Sequence, residues 1–90
     1  MSEKENFTIK KVIKTVVDEE VKMTFIEFVG YNVSMHRKAK GFSQEEFSSM
    51  ITLSRTSLSN VETGRHGLTL TTLREICEML ECESKDILGF

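Results

Sequence analysis

The chain has 90 residues, 29% of them charged and 39% hydrophobic, with a formal net charge of −2. This is the length of one small domain with a modest core, and the composition is that of a soluble globular chain rather than a disordered or fibrous one. No apolar run approaches the roughly 20 residues needed to cross a bilayer. The start, MSEKENFTIKK, lacks the apolar centre of a secretion signal, so the expected location is the cytoplasm.

The acidic total argues weakly against a nucleic-acid binder, but the charge is unevenly spread. Residues 31–66 carry Arg37, Lys38, Lys40, Arg55 and Arg65 against Glu45, Glu46 and Glu62. Residues 67–90 carry Arg74 and Lys85 against Glu75, Glu78, Glu81, Glu83 and Asp86. Local potential matters more than the total for phosphate binding. Cys77 and Cys82 are too few for a disulfide framework. With His36 and His66 remote in sequence they form no zinc pattern. Reduced, packed thiols are expected, with no metal and no cofactor.

In chain order, residues 1–24 form an extension that reads two ways. Ile9, Val12, Ile13, Val16, Val17 and Val21 fit an amphipathic helix. The β-branched run TIKKVIKTVV followed by DEE fits a strand or hairpin, which is the favoured reading. The helical domain is expected over 25–90. Its first helix runs over 25–40, with Phe25, Val29, Val33 and His36 at helical spacing. Lys38 and Lys40 complement its C-terminal dipole, and Gly41 stops it.

Ser43-Gln44-Glu45-Glu46 has the spacing of a capping box. A short helix follows, burying Phe47 and Ile51. Ser54 can cap a second short helix, from about Arg55 to Thr63, that buries Leu58 and Val61 and ends at Gly64. Arg65-His66-Gly67 is a polar loop. Thr69 can cap a fourth helix over 70–81 with Leu70, Leu73, Ile76, Cys77 and Leu80 inward. Ser84 can cap a last turn carrying Ile87 and Leu88. Met35, Met50 and Tyr31 are expected to fill the core. No catalytic constellation stands out, and an enzyme is not expected.

Residues 43–64, SQEEFSSMITLSRTSLSNVETG, thus hold two short capped helices in tandem. That is the geometry of a helix-turn-helix, whose second helix enters the major groove of DNA. With Phe47, Ile51, Leu53, Leu58 and Val61 inward, Arg55, Thr56, Ser57, Ser59 and Asn60 face out. Short hydrogen-bonding side chains suit the reading of base edges. The same polar face would also serve a protein-interaction module.

On these residues the stretch from Val33 to Leu88 resembles the phage-repressor/Cro (Xre-type) helix-turn-helix family. The matching runs are RKAKGFSQEEF, LSRTSLSNVETG, LTLTTLREICEML and ESKDIL. The resemblance implies an all-α, five-helix, lambda-repressor-like domain. It implies base contacts by Gln44, Arg55, Thr56 and Asn60, with Gln44 touching a phosphate or a neighbouring base. Backbone contacts are implied for Ser43, Ser57, Ser59, Thr63, Arg65 and His66. An Arg37–Glu62 ion pair would brace the first helix against the recognition helix.

The expected partners are double-stranded DNA and a second copy of the chain, with no membrane and no small-molecule ligand. The expected function is a transcriptional regulator, a repressor by expectation, acting as a dimer on a palindromic operator. An antagonist or antitoxin-like module that keeps the fold without binding DNA is the alternative. For the dimer surface, one candidate is Ile87, Leu88 and Phe90; the other is the strip Ile9, Ile13, Val16 and Val17. Two positions depart from the family pattern. Thr52 stands where the turn usually has glycine, and a positive φ would strain it. Ser48 replaces a small apolar residue, and its hydroxyl needs a partner such as a carbonyl one turn back.

Overall fold

The computed structural model describes the backbone of residues 6–12 and 18–90, and side chains from Met23 onward. Two antiparallel strands, β1 (Asn6–Val12) and β2 (Asp18–Thr24), precede five helices. The register pairs Asn6 with Thr24, Ile9 with Val21 and Val12 with Asp18. Of the apolar strip proposed for dimerisation, Ile13, Val16 and Val17 lie outside the described residues.

Thr24 ends β2 and also caps α1 (Phe25–Ala39). Its hydroxyl accepts from the Glu27 amide at 3.1 Å, while its own amide donates to Glu27 Oε1 at 2.9 Å. This capping box lies in plain sight as Thr24-Phe-Ile-Glu27. The remaining helices are α2 (Gln44–Ser48), α3 (Arg55–Glu62), α4 (Leu70–Leu80) and α5 (Ser84–Leu88). Ser43, Ser54 and Thr69 cap α2, α3 and α4 through their hydroxyls, at 3.0, 3.0 and 3.1 Å from the third amide. The all-α, five-helix reading of the domain therefore holds. Ser84 is not a cap: it is the first residue of α5, after Glu83, whose amide donates to Asp86.

The core is one cluster: Val29 and Val33 of α1, Phe47 of α2, Leu58 of α3, Leu73, Ile76 and Leu80 of α4, and Ile87 of α5. Five short helices each contribute one face, and the summed apolar burial stabilises what none could hold alone. Asn32 ties α1 to α5 by donating to the Ile87 carbonyl at 2.9 Å. Among the described residues no buried side-chain polar atom lacks a partner, as expected of a well-formed interior. No described helix is long and apolar enough to cross a membrane.

The expected burial of four residues needs correction. Leu70 sits at the first position of α4, where nothing packs over it, and is 83% exposed. Met35 is 50% exposed, and Tyr31 and Met50 are also exposed. Tyr31 and Met35 lie on the outer side of α1, and Met50 lies in the turn after α2. Cys77 and Cys82 are free and half-buried against the core. The Cys82 amide donates to the Cys77 carbonyl at 3.0 Å across the left-handed Glu81 (φ 55°), a backbone bond that closes the end of α4. Burial pushes both thiols up, Cys82 to about 11, which keeps them protonated and poorly nucleophilic.

Candidate nucleic-acid interface

α3 is short and is fixed by its surroundings rather than by its own propensity. Its inner face, Leu58 and Val61, is buried. Its closest neighbour is α1, which presents Gly30 at the crossing. A Cβ built on Gly30 would lie 2.0 Å from the Val61 carbonyl oxygen, so only glycine lets the two helices approach this closely. At the C-terminal end, Gly64 (φ 79°) would place a Cβ 2.5 Å from Glu27 Cγ. That position is doubly reserved for glycine, by conformation and by space.

The last residue of α3, Glu62, enters a buried network. Arg37 Nε donates to Glu62 Oε2 at 2.7 Å and Nη2 to Oε1 at 3.0 Å. The two side chains are 7% and 4% exposed. Arg37 Nη1 donates to the Phe42 carbonyl at 2.6 Å, and Gln44 Nε2 donates to Glu62 Oε1 at 2.9 Å. One fork-shaped guanidinium thereby joins α1, the 40–43 loop and α3, and Gln44 brings in the start of α2. The fork saturates a carboxylate that would otherwise be costly to bury.

The turn before α3 is built differently from the expectation. Among the described residues the only non-glycine with positive φ is Glu81, so Thr52 carries no such strain. Instead Glu75 of α4 reaches across: the Thr52 amide donates to Oε1 at 2.8 Å and the Thr52 hydroxyl to Oε2 at 2.7 Å. These two bonds, the hydroxyl first, hold the Glu75 carboxyl below its ordinary pKa. Ser48, buried between the helices, donates its hydroxyl to the Glu45 carbonyl at 3.1 Å, which supplies the partner its burial demands.

With both ends fixed, Arg55 and Thr56 stand exposed on the first turn of α3, while Ser57, Ser59 and Asn60 are half-buried. Ser57 is drawn into the cap, accepting from the Ser54 hydroxyl at 3.0 Å. Thr63 turns its hydroxyl back to the Ser59 carbonyl at 2.9 Å. Arg65 and His66 are exposed, and their amides both donate to the Asn60 carbonyl, at 2.9 and 3.2 Å. The loop after α3 is therefore stitched to the helix it follows. Ser43 is exposed at the start of α2, in a capping box with Glu46; the amide and hydroxyl of Ser43 hold the Glu46 carboxyl below its ordinary pKa. Of the predicted site residues, Gln44, Arg37 and Glu62 are therefore brought together in one network, and the others lie outside it, with Ser43, Arg55, Thr56, Thr63, Arg65 and His66 exposed and Ser57, Ser59 and Asn60 half-buried. Two residues that shape the site, Gly30 and Glu75, escaped the sequence reading. An in-helix glycine was the available signal for the first.

Comparisons with known proteins fit this geometry. A helix-turn-helix family model, HTH_3, matches residues 34–87. Among solved structures the chain is similar to the clp gene regulator ClgR from Corynebacterium glutamicum. That match has 25% identity and a TM-score of 0.70 over 74% of this chain and 71% of that one. It is also similar to the restriction-modification controller protein C.AhdI from Aeromonas hydrophila, with 27% identity and a TM-score of 0.64 over 70% and 90%. A hypothetical transcription factor, NHTF, from Neisseria matches at 30% identity and a TM-score of 0.67 over 71% and 72%. No curated protein matches the sequence. The family match spans more than half of the chain and covers both helices of the tandem, and on that ground the chain belongs to the HTH_3, Xre-like helix-turn-helix family.

Proposed function

We propose that this protein is a DNA-binding transcriptional regulator that inserts α3 into the major groove, with Arg55, Thr56 and Asn60 reading base edges. The observation that carries the reading is the exposed polar first turn of α3, set on a helix held at both ends. A rigid helix with short donors and a guanidinium on its outer side suits groove recognition. The regulators among the similar structures support it. Arg55 pairs with guanine O6 and N7, worth about 1–3 kcal/mol of discrimination. Ser43, Ser57, Ser59, Thr63, Arg65 and His66 grip the sugar-phosphate backbone on either side. The protein acts as a repressor when its site overlaps a promoter.

One reading helix spans only a few base pairs, so two copies bind half-sites about one helical turn apart on a palindromic operator. The proposed contact between copies is the apolar face around a hollow of about 310 Å³ lined by Phe25, Ile26, Leu68, Leu73 and Leu88. Leu70 and Phe90, 83% and 79% exposed, stand at its rim. Apolar side chains this exposed around a hollow mark an interaction surface. Ile87, a candidate for this surface by sequence, is fully buried and belongs to the core instead.

Random-site selection on the purified chain tests the reading, with binding then measured on the selected and a random duplex. Arg55→Ala is expected to flatten the preference between the two duplexes, whereas Arg65→Ala weakens both alike and makes the salt dependence shallower by about one contact. Identical behaviour of the two variants on both duplexes sinks the assignment. Affinity that barely responds to salt would instead point to a protein partner.

A further inference from the structure

The turn between α2 and α3 decides where α3 begins, and the inference drawn from it rests on the DNA-binding reading. In that turn the helical ladder gives out. The Ile51 amide still donates to the Ser48 carbonyl, at a long 3.4 Å. The next amide, that of Thr52, donates to Glu75 Oε1 at 2.8 Å, and the Thr52 hydroxyl donates to Oε2 at 2.7 Å. Both oxygens of one carboxylate are thus engaged by one residue. Among the described residues no ion pair involves Glu75, and no other side-chain hydrogen bond joins α4 to residues 43–64. Ile51 and Leu53, on either side of Thr52, pack against the core.

Exposed hydrogen bonds of this kind compete with water and contribute modestly to stability. Their geometric effect is larger. Main-chain and side-chain donors of Thr52 are gripped together, which fixes its rotation as well as its position. Thr52 lies two residues before the Ser54 cap and three before Arg55. Three residues span at most about 11 Å, so a shift at Thr52 is carried into the first turn of α3. Base reading tolerates little shift, because a bidentate contact needs both donors of one guanidinium aligned on one base. Phosphate attraction is independent of sequence and far less demanding of alignment. We propose that Glu75 is a positioning residue: acting through Thr52 rather than on the DNA, it sets the entry of α3 so that Arg55 and Thr56 discriminate between the operator and other duplexes. Its negative charge by itself weakens attraction to every duplex alike. The charge and the grip therefore act in opposite directions and can be told apart.

The test uses the full chain and takes the ratio of two affinities, for the operator obtained by random-site selection and for a random duplex. Glu75→Ala is expected to lower the ratio about five- to tenfold, with random-duplex affinity within about twofold of wild type or higher. Glu75→Asp keeps the charge but is one carbon too short to hold both donors, and its ratio is expected to fall as far. Thr52→Ala loses only the hydroxyl bond and is expected to lose about two- to threefold; it carries the test should Glu75→Ala fail to fold. Thr52→Ser keeps both donors and should retain the wild-type ratio. The double variant Glu75→Ala/Thr52→Ala should discriminate no worse than Glu75→Ala, since one grip is broken only once. The proposal is overturned if the Ala substitutions weaken both duplexes by the same factor, as a purely structural role would, or leave the ratio unchanged. It is equally overturned if Glu75→Asp keeps the wild-type ratio. Failure of the underlying reading looks different: selection yields no consensus, and the wild type does not distinguish any duplex from random.

Discussion

The two ends of α3 are each held through a carboxylate, its own Glu62 at one end and Glu75 of α4 at the other, but under opposite conditions. At the C-terminal end Glu62 and Arg37 meet almost out of water, in a two-pronged contact extended to Phe42 and Gln44. At the N-terminal end Glu75 holds the turn through Thr52 in an exposed contact. A buried pair is costly to disrupt, because whichever charge remains has lost its water and its partner. An exposed contact competes with solvent and contributes modestly. The helix is therefore anchored at one end and adjusted at the other.

Breaking the buried joint should have the largest effect. Arg37→Met leaves Glu62 sealed in without a countercharge, and unfolding by urea is expected to show a loss of about 3–5 kcal/mol. A loss below about 1 kcal/mol would mean that water reaches Glu62 and the joint is not dry. The double variant Arg37→Met/Glu62→Leu should regain most of the loss, since no charge is then stranded. Next comes the crossing itself. Gly30→Ala drives a methyl group into the Val61 carbonyl, and overpacking of this kind costs about 1–3 kcal/mol; unchanged thermal stability would show that α1 and α3 separate freely.

The exposed joint should respond least, and its response should depend on pH. Glu75→Gln is expected to lower Tm slightly at pH 7. In the wild type the folded-state pKa of Glu75 lies below the ordinary 4.5. Its contribution is then complete above that value and is lost as pH falls through the lower folded one. The gap between wild type and variant should close on acidification below about pH 4.5. A gap that stays constant down to pH 3 would show that the carboxylate charge is irrelevant to the turn.

The same contrast explains what could be read from the sequence. The helices were legible because their ends are local: Ser43 with Glu46, Ser54, Thr69, Gly41 and Gly64 act over three or four residues. The tandem of α2 and α3 followed from those ends. Glu75 was not legible, because its partner Thr52 is 23 residues away and no local pattern links them. Periodicity placed Leu70 on the apolar side of α4 but could not say whether anything covers it; Leu73 is buried one turn on, while Leu70 itself stays exposed. Gly30 lay within a helical run, where a glycine lowers helix propensity; its purpose appears only when α3 is laid across it. For Gln44, sequence named the residue but not its bond to Glu62.

Thr24 has a double duty with a mechanical consequence. It is the final residue of β2 and the cap of α1 at once, so the hairpin and the helix are joined with no intervening linker. A displacement of β2 would pass along α1 as along a lever. Gly30 and Arg37, the two points where that lever bears on α3, lie about two and four turns from its handle.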